Sequence, residues 1–558
     1  MFLLKQKSIK IKIREDTIKE HRKTIYLLSL LILAIYLIYP HLDYQPYLAQ
    51  GDHGRDLYGF LQTLKGGVPY KNYWWVYGPL MPYYYSLFFK FFGINIMSIL
   101  VGKSLLMLAA TTLVYLALST IIPYYFAFLG ALWFCQFNPD FFFTYNHIGG
   151  VVFLIAIIYC LCLYIQKSKT AYLYLGLLNI FLLGLVKINF GLVSLAIFIL
   201  SVCLIDFLLK NTFPVSKRIF YLTAVFLCPF FLWAIYRILT SGLTIYELRQ
   251  CLPYLKGDEP YNSGSFLGSS VFLFFKSGLQ TIQYNLNNTL MALIILLSIA
   301  QTLFFMIRNR ADLEVKKYAA VIFILLSFFI ASLHEYLMSG ILYRSFWAKP
   351  FWIMLIFIFI AMAVKSLPKI VHFLVVSTLM LLLFLNAFQD RIEIRQMKTG
   401  SQYLPLQSGK IFVGNQPQWV QTVLASTLYL NSHLRGDEKF LALPYDPLYY
   451  YLTQKTSPTR QLIFFDHIHI PPEQEKKIIA ELERNKVNWV LLSSRMDAHE
   501  HGLGTLGKTY CPLLNEYIRQ NFKDEIRFGD WSHEPGWAWN HGTRILKRIK
   551  VIMADRVH

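Results

Sequence analysis

The chain is organised around residues 50–93, QGDHGRDLYGFLQTLKGGVPYKNYWWVYGPLMPYYYSLFFKFFG, which lie between its first two long apolar runs. Because the preceding run, 25–41, has the length of a membrane span, this stretch meets the membrane surface as soon as the chain has crossed. Its ionisable side chains include Asp52, Arg55, Asp56, Lys65 and Lys71. An acid–base group beside fixed cations at a bilayer face suits chemistry on a phosphorylated lipid.

The composition indicates a membrane protein with many spans. Of the 558 residues, 56% are hydrophobic, 17% are aromatic and only 15% are charged. Apolar runs of about 17–24 residues, the length that spans a bilayer core, recur along the chain. We predict a polytopic α-helical membrane protein with about 11 transmembrane helices. The predicted spans are 25–41, 95–118, 121–137, 148–165, 171–185, 188–206, 219–239, 287–307, 318–333, 348–364 and 370–388.

The net charge of +21 follows membrane topology and does not indicate a nucleic-acid partner. Lys and Arg concentrate in short segments between apolar runs, whereas the turn 138–147 has neither. The basic segment 1–24 is predicted to stay cytoplasmic and to rest against anionic membrane lipid. An odd number of spans that starts inside places the C-terminal region outside. The pattern suits a multi-pass protein of the bacterial cytoplasmic (inner) membrane.

Two segments outside the predicted spans complete the fold class. Residues 79–92 are predicted to form an amphipathic helix in the outer interface, because a span there would be short and broken by proline. Residues 389–558 have the composition of a soluble domain and are predicted to form an extracytoplasmic α/β domain. Its predicted elements are strands over 439–444 and 487–494 and a helix over 473–485.

Ionisable groups are expected in five outer loops that open to the same side, so the loops could converge on one site. The first is the loop 42–94, which carries Asp52. The other four are 138–147 with Asp140 and His147, the turn at Lys187, 240–286, and 334–349 with His334, Glu335 and Arg344.

The first outer loop resembles that of a known class of enzymes. It combines an Asp-x-x-Arg sequence, an aromatic Gly-Pro segment and a surface helix ending in FKFFG; the matching residues are Asp52, Arg55, Trp74, Trp75, Gly78 and Pro79. The chain is similar here to the GT-C integral-membrane glycosyltransferases, among them protein O-mannosyltransferases and the transferase that moves aminoarabinose onto lipid A. The resemblance implies a transmembrane catalytic domain over 25–388 with the outer loop 42–94.

The resemblance also implies the reaction. The donor would be a polyprenyl-phosphate-linked sugar, the acceptor a glycolipid, cell-surface polymer or protein outside, and the anomeric carbon would invert. Asp52 matches the general base that takes the proton from the acceptor hydroxyl. Since the leaving phosphate needs fixed cations, the candidates to bind it are Arg55, Lys187 and Arg344, with Lys71 behind them.

Structural roles compete with each of these assignments. Asp52 and Arg55 lie one helical turn apart and could simply pair with each other. Lys187 could snorkel to the interface, and Arg344 could be an interfacial anchor. The remaining candidates would support the base, contact the acceptor or only stabilise the fold: Asp56, Asp140, His147, His334 and Glu335.

The sequence leaves metal and the class of protein open in part. No ligand pair has a diagnostic spacing, so no metal ligand is assigned, although a divalent cation is compatible with the carboxylates and histidines. The main alternatives to a transferase are a transporter or flippase for a lipid-linked sugar, and a ligase or polymerase for lipid-linked glycans. A transporter of this size is expected to show paired repeats, which are not visible.

Overall fold

The structure is a computed structural model in which most of the chain is described. The described residues are 21–46, 48–49, 51–136, 145–209, 312–339, 342–365, 367–399, 403–414, 417–466, 468, 470–496, 504–532 and 542–549. Several predictions fall outside these ranges: most of the basic segment 1–24, the spans 219–239 and 287–307, the loop 240–286, and Asp140.

The first half of the described chain is helical. Its helices are α1 His21–His41, α2 Gly51–Leu64, α3 Leu80–Phe92, α4 Ile96–Leu118, α5 Tyr124–Gln136, α6 Tyr145–Lys167, α7 Ala171–Val186 and α8 Ile188–Leu209, and a short strand, β1 Tyr44–Pro46, follows α1. After the gap come α9 Leu313–Ser332, α10 His334–Ser339, α11 Lys349–Lys365 and α12 Lys369–Thr399.

Nine of the predicted spans coincide with helices of the described chain. Within the described ranges, seven helices are long and apolar enough to cross a membrane; they begin at His21, Ile96, Tyr145, Ile188, Leu313, Arg344 and Lys369. The helices α5 and α7 are shorter, at 13 and 16 residues. The prediction of a polytopic helical membrane protein is therefore confirmed, whereas the number of spans stays a prediction.

The helices pack around a central one. In α6, 83% of the apolar stretch is buried inside the protein, whereas in α12 only 6% of it is buried. A helix that is apolar on all sides and is not covered by other protein elements is suited to contact with lipid. The buried side chains of α4, α6, α9 and α11 form one apolar core, which includes Met107, Leu154, Leu325 and Phe357.

The C-terminal region is an α/β unit with two small sheets. Its elements are β2 Tyr403–Leu404, β3 Ile411–Gly414, α13 Pro417–His433, β4 Phe440–Leu443, α14 Leu448–Leu452, α15 Pro472–Arg484, β5 Trp489–Ser493, α16 Pro512–Asn521, β6 Phe522–Phe528 and β7 Thr543–Arg548. The larger sheet has the order β4-β5-β7-β6, in which β4 and β5 are parallel and the other pairs antiparallel. The predicted strands and helix of this region are confirmed.

The smaller sheet joins the loop 42–94 to the C-terminal unit. Its order is β1-β3-β2, and β1 runs parallel to β3 with Gln45 opposite Val413. A second apolar core also crosses this boundary, since it contains Tyr58, Trp75 and Tyr85 together with Trp419 and Tyr450. The loop 42–94 and the C-terminal unit therefore share one sheet and one core.

Candidate active site

The first turn of α2 carries an arginine between two carboxylates. Arg55 Nη1 donates to Asp52 Oδ1 at 2.7 Å, while Arg55 Nε and Nη2 donate to Asp56 Oδ1 at 3.0 and 2.7 Å. The helix dipole also favours an acidic residue at this end. The Asp52 side chain is 19% exposed, whereas Arg55 is 3% and Asp56 0% exposed. Asp52 is thus the group of the three that reaches the solvent side.

A tyrosine of the C-terminal unit completes this cluster. The hydroxyl of Tyr445 donates to Asp52 Oδ1 and accepts from Arg55 Nη1 at 3.3 Å. A Cβ atom on Gly51 would lie 2.3 Å from the Tyr445 ring, so the absence of a side chain at Gly51 makes room for the tyrosine. Tyr445 is not among the site residues predicted from the sequence; the available signal was its position directly after the predicted strand 439–444, where side chains often reach a site.

The side chains of α2 that face the protein interior are buried away from water. Burial raises the pKa of the Asp56 carboxyl to about 7, although Arg55 opposes this shift. Burial, reinforced by Lys103, lowers the pKa of His53 to about 3. Neither ring nitrogen of His53 has a hydrogen-bond partner among the described residues, and the ring lies edge-on to Tyr145. His53 is therefore a neutral packing residue at ordinary pH.

A second polar cluster lies where α7 meets α8. Lys187 Nζ is 2.5 Å from Glu335 Oε1, and the side chains are 13% and 8% exposed. Asn189 Nδ2 donates to the same Glu335 oxygen at 2.8 Å and lies 3.0 Å from His334 Nε2. The other His334 nitrogen, Nδ1, lies 2.7 Å from the carbonyl oxygen of Ala331. The predicted outer turn at Lys187 and the segment 334–349 thus come together.

Aromatic rings surround the Lys187 ammonium. Its Nζ lies 5.6 Å from the centre of the Tyr77 ring and 5.5 Å from those of Phe190 and Trp347. The His147 ring is 5.3 Å from both Tyr77 and Trp347. Rings placed in this way attract a cation and exclude water, which strengthens any charge interaction at the site.

Tyr77 connects the two clusters. The guanidinium carbon of Arg55 lies 4.9 Å from the centre of the Tyr77 ring, and Lys187 Nζ lies near the same ring. Electrostatic interactions of Lys187 with Asp52, and of His147 with Arg55, also cross between the clusters. Arg344 interacts electrostatically with Lys187, Glu335 and His147.

The backbone at Gly78 holds the aromatic Gly-Pro segment against the end of α7. Gly78 N donates to the carbonyl oxygen of Val186 at 2.9 Å, and Trp75 Nε1 donates to the Gly78 carbonyl at 3.0 Å. A Cβ on Gly78 would lie 2.0 Å from the Leu185 carbonyl oxygen, which is much closer than two non-bonded heavy atoms approach. Glycine is therefore needed here for close backbone contact.

Of the predicted phosphate-binding cations, Lys71 lies outside the two charge clusters. It is exposed in the turn after α2, and the contacts described for Asp52, Arg55, Lys187 and Glu335 do not involve it.

Among the residues that the structure describes, no group of three or more His, Cys, Asp or Glu side chains could hold a metal ion. The carboxylates of Asp52 and Glu335 are instead paired with Arg55 and Lys187.

Solved structures resemble this fold, although no protein-family model and no curated protein matches the chain. The archaeal oligosaccharyltransferase AglB from Archaeoglobus fulgidus, solved with an inhibitory peptide and a dolichol-phosphate, matches with a TM-score of 0.50 and 12% identity, over 85% of this chain and 70% of that chain. A complex of the Archaeoglobus fulgidus enzyme with Zn and sulfate has a TM-score of 0.49 and 13% identity, over 85% and 68%. ArnT from Cupriavidus metallidurans, bound to undecaprenyl phosphate, has a TM-score of 0.49 and 9% identity, over 94% and 97%.

The class of fold follows from the architecture and this similarity. A helical membrane body with a C-terminal α/β unit is the fold of the GT-C glycosyltransferases, and the prediction of that fold is confirmed. At 12% identity the similarity concerns the fold alone.

Proposed function

We propose that the protein is an inverting glycosyltransferase that moves a sugar from a polyprenyl-phosphate donor to an acceptor at the outer face of the bacterial cytoplasmic membrane. The observation that carries this proposal is the presence of two separate features: a partly exposed, oriented carboxylate at Asp52, and a cationic and aromatic cluster around Lys187. A base and a phosphate-binding region are the two parts that such a transfer needs.

In the proposed reaction, Asp52 takes the proton of the acceptor hydroxyl as that oxygen attacks C1 of the sugar. The new C1–O bond forms while the bond from C1 to the phosphate oxygen breaks, and the polyprenyl phosphate leaves with the electron pair. Attack from the face opposite the leaving group inverts C1. A positioned carboxylate base contributes on the order of 10²–10⁴-fold to such a step.

The leaving phosphate is assigned to the cluster of Lys187 and Arg344. Arg55 is fully engaged with two carboxylates, so its proposed role is to hold Asp52 and to add positive charge at a distance. Lys187 is paired with Glu335, so a bound phosphate would share its ammonium with that carboxylate. The exposed Lys71 is left as an outer contact for the lipid headgroup region.

The solved structures lend the proposal chemical plausibility. AglB was solved with a dolichol-phosphate and ArnT with undecaprenyl phosphate, and both are polyprenyl phosphates. For this chain we expect a lipid of the same class, with a glycolipid, polymer or protein as acceptor.

The test is an assay of the purified protein with a panel of radiolabelled polyprenyl-phosphate monosaccharides, with divalent cations added or omitted. Transfer predicts loss of donor and release of free polyprenyl phosphate. Transport by a flippase would leave every donor chemically intact. Turnover that requires a longer lipid-linked glycan would indicate a ligase or polymerase instead.

A further inference from the structure

One oxygen of the Asp52 carboxylate is held from two sides. Oδ1 accepts from Arg55 Nη1 at 2.7 Å and from the hydroxyl of Tyr445, and Arg55 Nη1 also donates to the tyrosine oxygen at 3.3 Å. Among the described residues, Oδ2 accepts no hydrogen bond. The carboxylate is therefore fixed in rotation, with one occupied and one unoccupied oxygen.

Tyr445 is itself rigid. Its ring is 2% exposed and lies 5.3 Å, centre to centre, from the ring of Phe465. Gly51 also lies against the Tyr445 ring, and any side chain at that position would collide with it. Burial raises the pKa of the Tyr445 hydroxyl well above its ordinary value, so the group stays protonated and donates.

We propose that Tyr445 is a positioning residue supplied by the C-terminal unit: together with Arg55 it holds Oδ1 of Asp52, so that Oδ2 receives the acceptor's proton. This inference rests on the proposed function, in which Asp52 is the base. It gives the C-terminal unit a part in the chemical step, because the base is correctly oriented only when that unit is docked on α2.

The experiment compares Tyr445→Phe with a matched control, Tyr451→Phe, in the donor assay. Tyr451 is also a buried tyrosine of the C-terminal unit, and its hydroxyl donates to the Ser408 carbonyl oxygen at 3.0 Å, away from Asp52. Both variants lose one buried hydroxyl, but only Tyr445→Phe loses a donor to the base. For each variant, kcat, the donor KM and thermal stability are measured.

We expect Tyr445→Phe to lower kcat about 10-fold to 100-fold, as for a lost hydrogen bond to a charged group, with the donor KM changed less than about twofold. Tyr451→Phe is expected to keep kcat within about twofold. If wild type turns over and Asp52→Asn does not, yet Tyr445→Phe has wild-type kcat or changes only KM, the positioning role is wrong and the base assignment stands. If wild type consumes no donor, both proposals are wrong.

A second variant covers the case in which Tyr445→Phe does not fold. Ring-fluorinated tyrosine at position 445 keeps the shape and the hydroxyl but makes the hydroxyl a stronger donor. Because a more strongly held carboxylate is a weaker base, kcat is expected to fall stepwise with added fluorine. A kcat that does not depend on the fluorines would overturn the proposal.

Discussion

Asp52 and Asp56 bind the same arginine from neighbouring turns, yet they occupy different surroundings. Asp52 is 19% exposed and shares its Oδ1 with Arg55 and Tyr445, whereas Asp56 is wholly buried and binds Arg55 through two nitrogens. A partly exposed carboxylate, whose Oδ2 accepts no hydrogen bond from any residue that the structure describes, suits a base. A wholly buried carboxylate bound to an arginine instead fixes that arginine in place.

His53 makes stability depend on pH. Its pKa is lowered to about 3 by burial, so between about pH 6.5 and 3 the unfolded chain binds a proton that the folded chain does not. The contribution of His53 therefore lowers stability as pH falls, by about 1.4 kcal/mol per pH unit. We expect His53→Leu to remove this loss, so that its melting temperature gains on wild type as pH falls from 7 to 5. Asp56, whose raised pKa acts in the opposite direction, is present in both proteins and cancels in the comparison.

The control for this prediction is His433→Leu. His433 is exposed at the end of α13, so its replacement controls for the loss of a histidine that is not buried. A His53→Leu protein whose difference from wild type is constant between pH 7 and 5 would contradict the buried, neutral state of His53.

For these side chains, the sequence predicted a contact between residues close together in the chain but not the contacts between residues far apart. The spacing of Asp52 and Arg55 indicated that they could pair, and they do, because residues three apart share a helix face. The contact with Tyr445 joins residues 393 positions apart, so no local spacing encodes it. The pairing of Lys187 with Glu335 was missed for the same reason, although both were named as candidates.

Among the elements, the segment between α2 and α3 decides how the outer loop meets the helical body. Gly78 lies against the backbone of α7 at Leu185 and Val186, directly before Lys187. Tyr77, the ring between the two charge clusters, is the preceding residue. A shift of this segment would therefore move Tyr77 and Lys187 together.

We expect Gly78→Ala to destabilise the protein by more than about 2 kcal/mol and to reduce sugar transfer, since the new methyl group would meet a backbone oxygen that cannot move alone. The matched control is Gly184→Ala in α7, where an added Cβ meets no atom within 4 Å. Melting temperature and transfer rate check both. Equal effects of the two substitutions would show that the close contact at Gly78 is not needed.

The elements themselves were largely predictable. Apolar runs of span length became helices because the backbone of a span must satisfy its hydrogen bonds internally. The helix of the last predicted span, α12, however, extends beyond the predicted end at residue 388 to Thr399. Its polar final turns pack on the start of the outer loop, where Lys398 pairs with Asp43, and a hydropathy pattern cannot show such an extension.

Across the whole molecule, the outer loop and the C-terminal unit form one body. Besides the β1–β3 pairing, Trp74 N donates to the Arg460 carbonyl oxygen at 3.2 Å, and Ser457 N donates to the Tyr58 hydroxyl at 2.9 Å. The apolar core beneath these contacts contains side chains from both parts. Each part covers apolar surface that the other would otherwise expose.

We therefore expect a chain that ends at Thr399 to be aggregated or sensitive to protease in the loop 42–94, because the shared core would be open. Expression of residues 400–558 as a separate chain in the same cells should restore a protease-resistant complex. Size-exclusion chromatography and limited proteolysis in detergent measure both outcomes. A truncated chain that is monodisperse and resistant by itself would contradict the shared core.

The sequence predicted the membrane part and the C-terminal unit, but not that the two share a sheet and a core. The change in composition near residue 388 marks the start of a soluble part, and the strands predicted over 439–444 and 487–494 are present. The strand β1 has three residues and pairs with a strand far along the chain. Short strands carry too little periodicity to be detected, and their partners are set by the fold.

The role of Asp52 as the base is tested most directly by comparing transfer from the preferred polyprenyl-phosphate sugar by wild type, Asp52→Asn and Asp43→Asn. Asp43 also lies in the loop 42–94, but in the described part of the chain it pairs with Lys398, so its replacement controls for the loss of a carboxylate from this loop. We predict that Asp52→Asn folds and loses turnover by about 10²-fold or more, while Asp43→Asn turns over at close to the wild-type rate. Near-normal turnover by folded Asp52→Asn would contradict its role as the base.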